Sequence, residues 1–159
     1  MSVLAIRAYS EANFDALALR WHETNLASYT YVDEQQRHTL EDAREFFRTH
    51  VLGECEVWVA EEVGDLRGLI AISPGWIHQL AVFPSHQRRG IGTQLLRKAQ
   101  ERSPAGLQLY TFQRNSIARA FYEHHGFRVM AFGVSAHPEN EPDALYRWPA
   151  EPANAAPVS

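Results

Sequence analysis

The chain is most constrained at Gln87-Arg88-Arg89-Gly90-Ile91-Gly92. These residues follow an apolar, strand-like run from Trp76 to Phe83 and open a helix-like run from Gly90 to Arg102. A strand that turns directly into a helix gathers the unbonded first-turn N–H groups and the positive end of the helix dipole at one point. Such a point attracts anions. Gly90 and Gly92 carry no Cβ to hold a phosphate away from the main chain, and Arg88 and Arg89 can add charge-assisted hydrogen bonds. The string is not a P-loop, which needs Lys-Ser/Thr after its last glycine. Nor is it a dinucleotide turn, which needs three glycines at another spacing.

Regular elements surround this turn. Leu4 to Ala8 reads as a short strand, and Ser10 as the cap of a helix from Glu11 to about Ala27. Phe14, Leu17, Ala18 and Trp21 share one face of that helix. Thr39-x-x-Asp42 resembles a capping box for a second helix, with Leu40, Ala43 and Phe47 as its apolar stripe and Arg48 in its last turn. The stretch between them, Ser28 to His38, is aromatic and acidic. The period then changes to two. Glu56 to Glu62, Leu66 to Ser73 and Trp76 to Phe83 alternate, with turns at Val63-Gly64-Asp65 and Pro74-Gly75, and form an antiparallel meander.

The helix from Gly90 carries Ile91, Leu95, Leu96 and Ala99 on one face. Leu107 to Phe112 is the next strand. Asn115 caps a helix whose Ile117, Ala118, Phe121 and Tyr122 fall together, and Gly126-Phe127 ends it with a left-handed cap. Strands from Phe127 to Val134 and from Ala144 to Trp148 are joined by a polar loop, Ser135 to Asp143. A single domain over residues 1–148 is expected. Residues 149–159, rich in Pro, Ala and Asn, have nothing to bury and read as a frayed tail.

Composition narrows the function classes. A chain of 159 residues with 45% hydrophobic residues can bury one substantial core. Mean hydropathy is −0.35, and no apolar run approaches the ~20 residues of a membrane span. No secretory signal is evident at the N-terminus. A net charge of −4 and a pI near 6.0 argue against nucleic acid or an anionic membrane as partner. The single cysteine, Cys55, excludes an intrachain disulfide and suits a reducing cytosol, so a cytoplasmic location is expected. The eight histidines are scattered and form no transition-metal motif, so no metal is expected.

Two stretches carry a resemblance to a known family. One runs from Leu80-Ala81-Val82-Phe83-Pro84 through Gln87-Arg88-Arg89-Gly90-Ile91-Gly92-Thr93 to Leu96. The other, Asn115 to Phe127, reads N-x-x-A-x-x-F-Y-x-x-x-G-F. In this order and spacing they resemble the GNAT superfamily of acetyl-CoA-dependent N-acyltransferases, and the element order extends the likeness over roughly residues 3 to 148. The resemblance implies an α/β fold: a mixed, mostly antiparallel sheet with flanking helices, whose central strands splay to admit the cofactor. It implies that Gln87, Arg88, Arg89, Gly90, Ile91, Gly92 and Thr93 hold the pyrophosphate of coenzyme A. Leu80 and Val82 would offer main-chain groups to the pantetheine arm, and the Val82 amide would be the oxyanion donor. Asn115 would lie beside the pantetheine, and Tyr122 would protonate the leaving thiolate. Dimers are frequent in the family, so a homodimer is compatible with the resemblance.

Acyl transfer needs a neutral amine, an oxyanion site and a proton for the departing sulfur. An alkyl ammonium is only about 0.04% neutral at pH 7, a barrier of roughly 4–5 kcal/mol, so a base or an ordered water chain is required. Some family members place a carboxylate on the strand before the glycine turn. One such position is Trp76 here, which cannot serve. His78 lies two residues on and is the candidate base, or else a packed or substrate-contacting residue. His22, Glu23 and Glu34 are alternatives. Tyr122 is either the acid or a core residue.

The acceptor is expected to be a primary amine, bound between Tyr29–Glu34 and the loop Ser135–Asp143, with Tyr29, Tyr31, Glu34 and Glu139 as contacts. Glu139, Glu141 and Asp143 could equally be a solvated loop. Three readings follow: a small-molecule amine N-acetyltransferase, a protein N-terminal or lysine acetyltransferase, and a non-catalytic acyl-CoA-binding module.

Overall fold

The computed structural model describes residues 3–83 and 90–149. In chain order these form β1 (Leu4–Ala8), a 3-10 turn (Glu11–Asn13), α1 (Phe14–Ser28), α2 (Asp33–Arg37) and α3 (Leu40–Phe46), which runs on into a π turn (Phe47–Val51). Then come β2 (Glu56–Glu62), β3 (Asp65–Ser73), β4 (Trp76–Val82), α4 (Ile91–Arg102), β5 (Leu107–Phe112), α5 (Ser116–His124), β6 (Arg128–Val134) and β7 (Pro142–Trp148). The described strands make one sheet in the order β1-β2-β3-β4-β5-β7-β6. Every neighbouring pair is antiparallel except β4 and β5. The mixed, mostly antiparallel α/β fold is therefore as expected.

Local chemistry accounts for most of the boundaries. Val63 and Gly64 both have positive φ, 54° and 78°, as a two-residue hairpin turn requires. Gly75, at φ 79°, follows Pro74 and closes the next hairpin. Thr39 Oγ1 accepts from the Asp42 N–H at 3.1 Å and Asp42 Oδ2 accepts from the Thr39 N–H at 2.9 Å, a complete capping box. Gly126 takes φ 88°, and the Phe127 N–H bonds back to the Tyr122 carbonyl at 2.9 Å.

Two cores lie on opposite faces of the sheet. Ile70 and Ile72 of β3 pack with Ile91, Leu95 and Leu96 of α4 and Tyr122 of α5. Leu69 and Ala71 pack with Leu17 and Trp21 of α1 and with Ala43 and Phe47. Beyond β4 the covering is one-sided: Leu107, Leu109, Ala144 and Tyr146 join the α4–α5 core, while Tyr110 is 61% exposed. Two residues assigned to buried helix faces are not buried. Leu40 is 39% exposed at the first position of α3, and Ile117 is 79% exposed in the first turn of α5. Within Ser28–His38, the five-residue helix α2 had no periodic signal to announce it.

Candidate active site

The sheet opens in its middle. β4 and β5 pair only at Trp76 and Gln108, where the Gln108 N–H donates to the Gly75 carbonyl at 2.8 Å. Trp76 closes this end by stacking on Tyr110, with ring centroids 5.8 Å apart. Towards Val82 the strands part. The Phe83 N–H bonds to the Arg67 carbonyl at 2.9 Å, and β3 and β4 stay in register from Gln79 to Val82. Antiparallel alternation then gives Ala81 and Gln79 to β3 and turns the main-chain groups of Leu80 and Val82 towards the gap. The gap continues into a cleft of about 460 Å³ lined by, among others, Tyr29, His78, Leu80, Val82, Gly92, Asn115 and Tyr122.

Tyr122 reaches the cleft from α5 and is 7% exposed. Burial, and then the neighbouring Tyr29, raise its pKa well above the ordinary tyrosine value, so the phenol keeps its proton. Asn115 Oδ1 caps α5 by accepting from the Ala118 N–H at 3.1 Å, and the residue lines the cleft. From the other side, α1 contributes Thr24, Asn25 and Ser28. Sequence reasoning missed these three. They sit seven, eight and eleven residues after Leu17, the same helical face carried two to three turns further, and that spacing was a usable signal.

His78 owes its position to a bulge. Gln79 pairs with Ala71 and Ile77 with Ile72, so His78 is an extra residue in β4 with none opposite it on β3. Bulges re-aim side chains in this way. Its Nε2 lies 2.7 Å from Ser73 Oγ, which fixes the ring, and the exposed side chain lines the cleft.

At the other end, Gln87, Arg88 and Arg89 lie outside the described residues. Gly90 is the N-cap of α4 at φ 76°, and among the described residues a Cβ added there would meet nothing within 4 Å. It therefore holds the turn, and no described side chain crowds the helix end. Gly92 has a different role: its Cβ would sit 3.2 Å from the Phe121 ring, so the missing side chain lets α4 approach α5. Ile91 points into the core. Thr93 Oγ1 lies 3.0 Å from His125 Nε2, and His125 Nδ1 donates to the Phe121 carbonyl at 2.8 Å. The imidazole thus engages the Thr93 hydroxyl. For Ile91 and Thr93 only the main chain remains to meet an anion. Gly90→Val is expected to weaken coenzyme A binding about 10- to 150-fold, the loss of a contact worth about 1.5–3 kcal/mol. Calorimetry on the folded variant checks this, and unchanged affinity would remove the phosphate assignment.

The acceptor residues part company. Tyr29 lines the cleft and packs edge-on against Phe112, with centroids 5.2 Å apart. The Tyr31 ring lies under the Arg114 guanidinium at 4.7 Å, and burial pushes its hydroxyl up to about 12. Glu34 is held by Arg37 at 3.1 Å and His38 at 3.6 Å and is not among the residues lining the cleft. Glu139 accepts from Gln35 Nε2 at 2.6 Å. Arg114 grips Glu141 with two bonds of 2.8 Å and donates to the Tyr31 carbonyl at 3.3 Å. The segment between α1 and α3 is thereby tied to the β6–β7 loop. Cys55 lies elsewhere, half-buried, with burial raising its pKa, as for a structural thiol.

The splayed β4–β5 pair, the glycine-capped α4 and the buried tyrosine of α5 form one arrangement, and it has relatives. The acetyltransferase (GNAT) domain family matches residues 53–129, which run from β2 to the start of β6 and include all three features. This part of the chain is a GNAT acetyltransferase domain. This GNAT protein is an enzyme, an acyl-CoA-dependent N-acyltransferase with acetyl-CoA as cosubstrate. It is 29% identical over 126 residues to the peptidyl-lysine N-acetyltransferase YiaC of Escherichia coli, spanning 79% of this chain and 84% of YiaC. The fold is similar to apo YjaB from Escherichia coli, with a TM-score of 0.77 at 22% identity over 92% of this chain and 97% of that one. It is similar also to yncA from Salmonella typhimurium, solved with its cofactor acetyl-CoA, with a TM-score of 0.71 at 16% identity over 99% of both chains. Among the described residues of this GNAT enzyme, no helix is long and apolar enough to cross a membrane.

Proposed function

We propose that the enzyme acetylates a primary amine by direct attack within a ternary complex, with His78 as base and Tyr122 as acid. The observation that carries this reading is that both side chains line one cleft, whose floor is the parted edge of β4. Acetyl-CoA supplies an activated thioester, so no metal is needed to polarise the carbonyl. The residues present fit it. Leu80 and Val82 turn main-chain groups into the gap, as pairing with an extended pantetheine arm requires, and the helix end at Gly90, which no described side chain crowds, suits a phosphate.

His78 takes the ammonium proton, either directly or through water, and Ser73 steadies the ring while it does so. The Val82 N–H donates to the negative charge that grows on the acyl oxygen. Tyr122 gives its proton to the departing sulfur, a task suited to a phenol that burial keeps protonated.

The acceptor enters from the side of Tyr29. There the Gln35–Glu139 and Arg114–Glu141 bonds draw the α1–α3 segment against the β6–β7 loop. Such a mouth favours a slender chain with a terminal amine, a small molecule in the first reading. A lysine side chain is the second reading, supported by the likeness to a peptidyl-lysine acetyltransferase. Release of free coenzyme A is expected with at least one amine from a panel of polyamines, amino acids, aminoglycosides and lysine peptides. No release from any of them, by protein that binds acetyl-CoA, would refute the acceptor class.

A further inference from the structure

A second, shallower cavity of about 580 Å³ adjoins the cleft on the uncovered face of β5, β7 and β6. Tyr110 lines both, so this shallow trough begins beside the cleft. At the far end stands Asp143, only 9% exposed. Its acidic neighbours in the loop are engaged, Glu141 by Arg114 and Glu139 by Gln35, but Asp143 makes no ion pair among the described residues. Burial accordingly holds its carboxyl above the ordinary aspartate range, with only its own main-chain N–H acting the other way. Buried carboxylates are normally matched by a cation. Here the space in front is kept open. Gly133 lies opposite Asp143 across β6 and β7, and a Cβ there would come within 3.4 Å of Asp143 Oδ1. Tyr110, which is exposed, stands at the wall, and aromatic faces attract cations.

We infer that the acceptor carries a second cationic group remote from the reacting amine, and that Asp143 receives it at the end of this trough. The inference rests on the cleft being the acceptor site and names the class of amine that fills it. Tyr110 pairs with Leu145, and Asp143 lies two residues further along β7. With paired strands ~4.8 Å apart, residues ~3.4 Å along each, and β4 and β5 parted beyond Trp76, Asp143 sits about 12 Å or more from the β4 position of His78. A diamine of about eight carbons spans that distance. Either a free polyamine or a peptide with a second basic side chain carries the required chemistry.

The test is binding to the enzyme saturated with coenzyme A, where no turnover occurs, using diaminooctane and octylamine. Calorimetry is expected to show the diamine bound about 10- to 100-fold more tightly than the monoamine, the range of a charged hydrogen bond. Asp143→Asn should abolish that preference and leave coenzyme A affinity and melting temperature unchanged. Gly133→Val, which covers the carboxylate without altering it, should do the same. Spermidine and a two-lysine peptide, compared in the same way, identify the source of the second cation by which of them loses more affinity in Asp143→Asn. Equal binding of diamine and monoamine by the wild type, or a preference that survives both variants, would overturn the inference. The acetyltransferase reading is judged separately by coenzyme A release and stands or falls independently of these affinities.

Discussion

Tyr122→Phe is expected to lower turnover about 10²- to 10⁴-fold while acetyl-CoA binds almost as before. The substitution keeps the aromatic ring, which packs against Phe121, Phe127 and Tyr146, and removes only the hydroxyl facing the cleft. The fold should be indifferent to the change or slightly favoured by it, because no hydrogen bond of that hydroxyl to the described residues is lost. The expected pattern is thus a fall in kcat with the KM for acetyl-CoA unchanged. Because burial raises the phenol's pKa, kcat in the wild type should show no Tyr122-dependent decline below about pH 10, the ordinary tyrosine value. Single-turnover measurements that found full chemistry in Tyr122→Phe would return Tyr122 to the core and leave the proton to solvent.

His78→Ala should produce a comparable loss, about 10²- to 10⁴-fold in kcat/KM, with coenzyme A affinity intact. The sign of the pH dependence follows from the role. A base works only when unprotonated, so kcat/KM falls on the acidic side, and that fall should disappear in the variant. Added imidazole should restore part of the rate by occupying the space the ring vacates. A pH profile of the same shape in His78→Ala, without rescue, would show that His78 only lines the cleft and that water or another group accepts the proton. Ser73→Ala offers a milder comparison. It loosens the ring held at 2.7 Å and should lower kcat without moving the limb.

Much of this enzyme can be read along the chain, and the parts that can share a cause. β1 and β5 occupy the spans expected for them, Thr39 and Asn115 cap their helices, and Gly126 ends α5 in the left-handed conformation. Each depends on residues within four positions of one another, where hydrogen-bond geometry and allowed φ leave few choices. The order of the two motifs carried the family for the same reason, since a strand, a glycine turn and a helix are local objects.

Contacts between distant segments were not legible in the same way. Gly92 looked like a place for phosphate, but the Phe121 ring, brought alongside by the packing of α5 on α4, is what forbids a side chain there. Thr93 turned out to be bonded to His125, 32 residues away. Glu34 seemed suited to an amine, and the turn of α2 instead gave it to Arg37 and His38.

What the sequence determined by itself was the set of elements, their caps and turns, and the family they compose. The tertiary structure alone decided which groups face one another. A one-residue bulge in β4 aims His78, the single pairing of β4 with β5 opens the cleft, and the neutralisation of Glu141 but not Asp143 leaves one buried carboxylate at the end of the trough. The physical reason is range. Backbone hydrogen bonding and side-chain periodicity act over a few residues, whereas burial and charge pairing depend on segments the chain brings together only after it has folded.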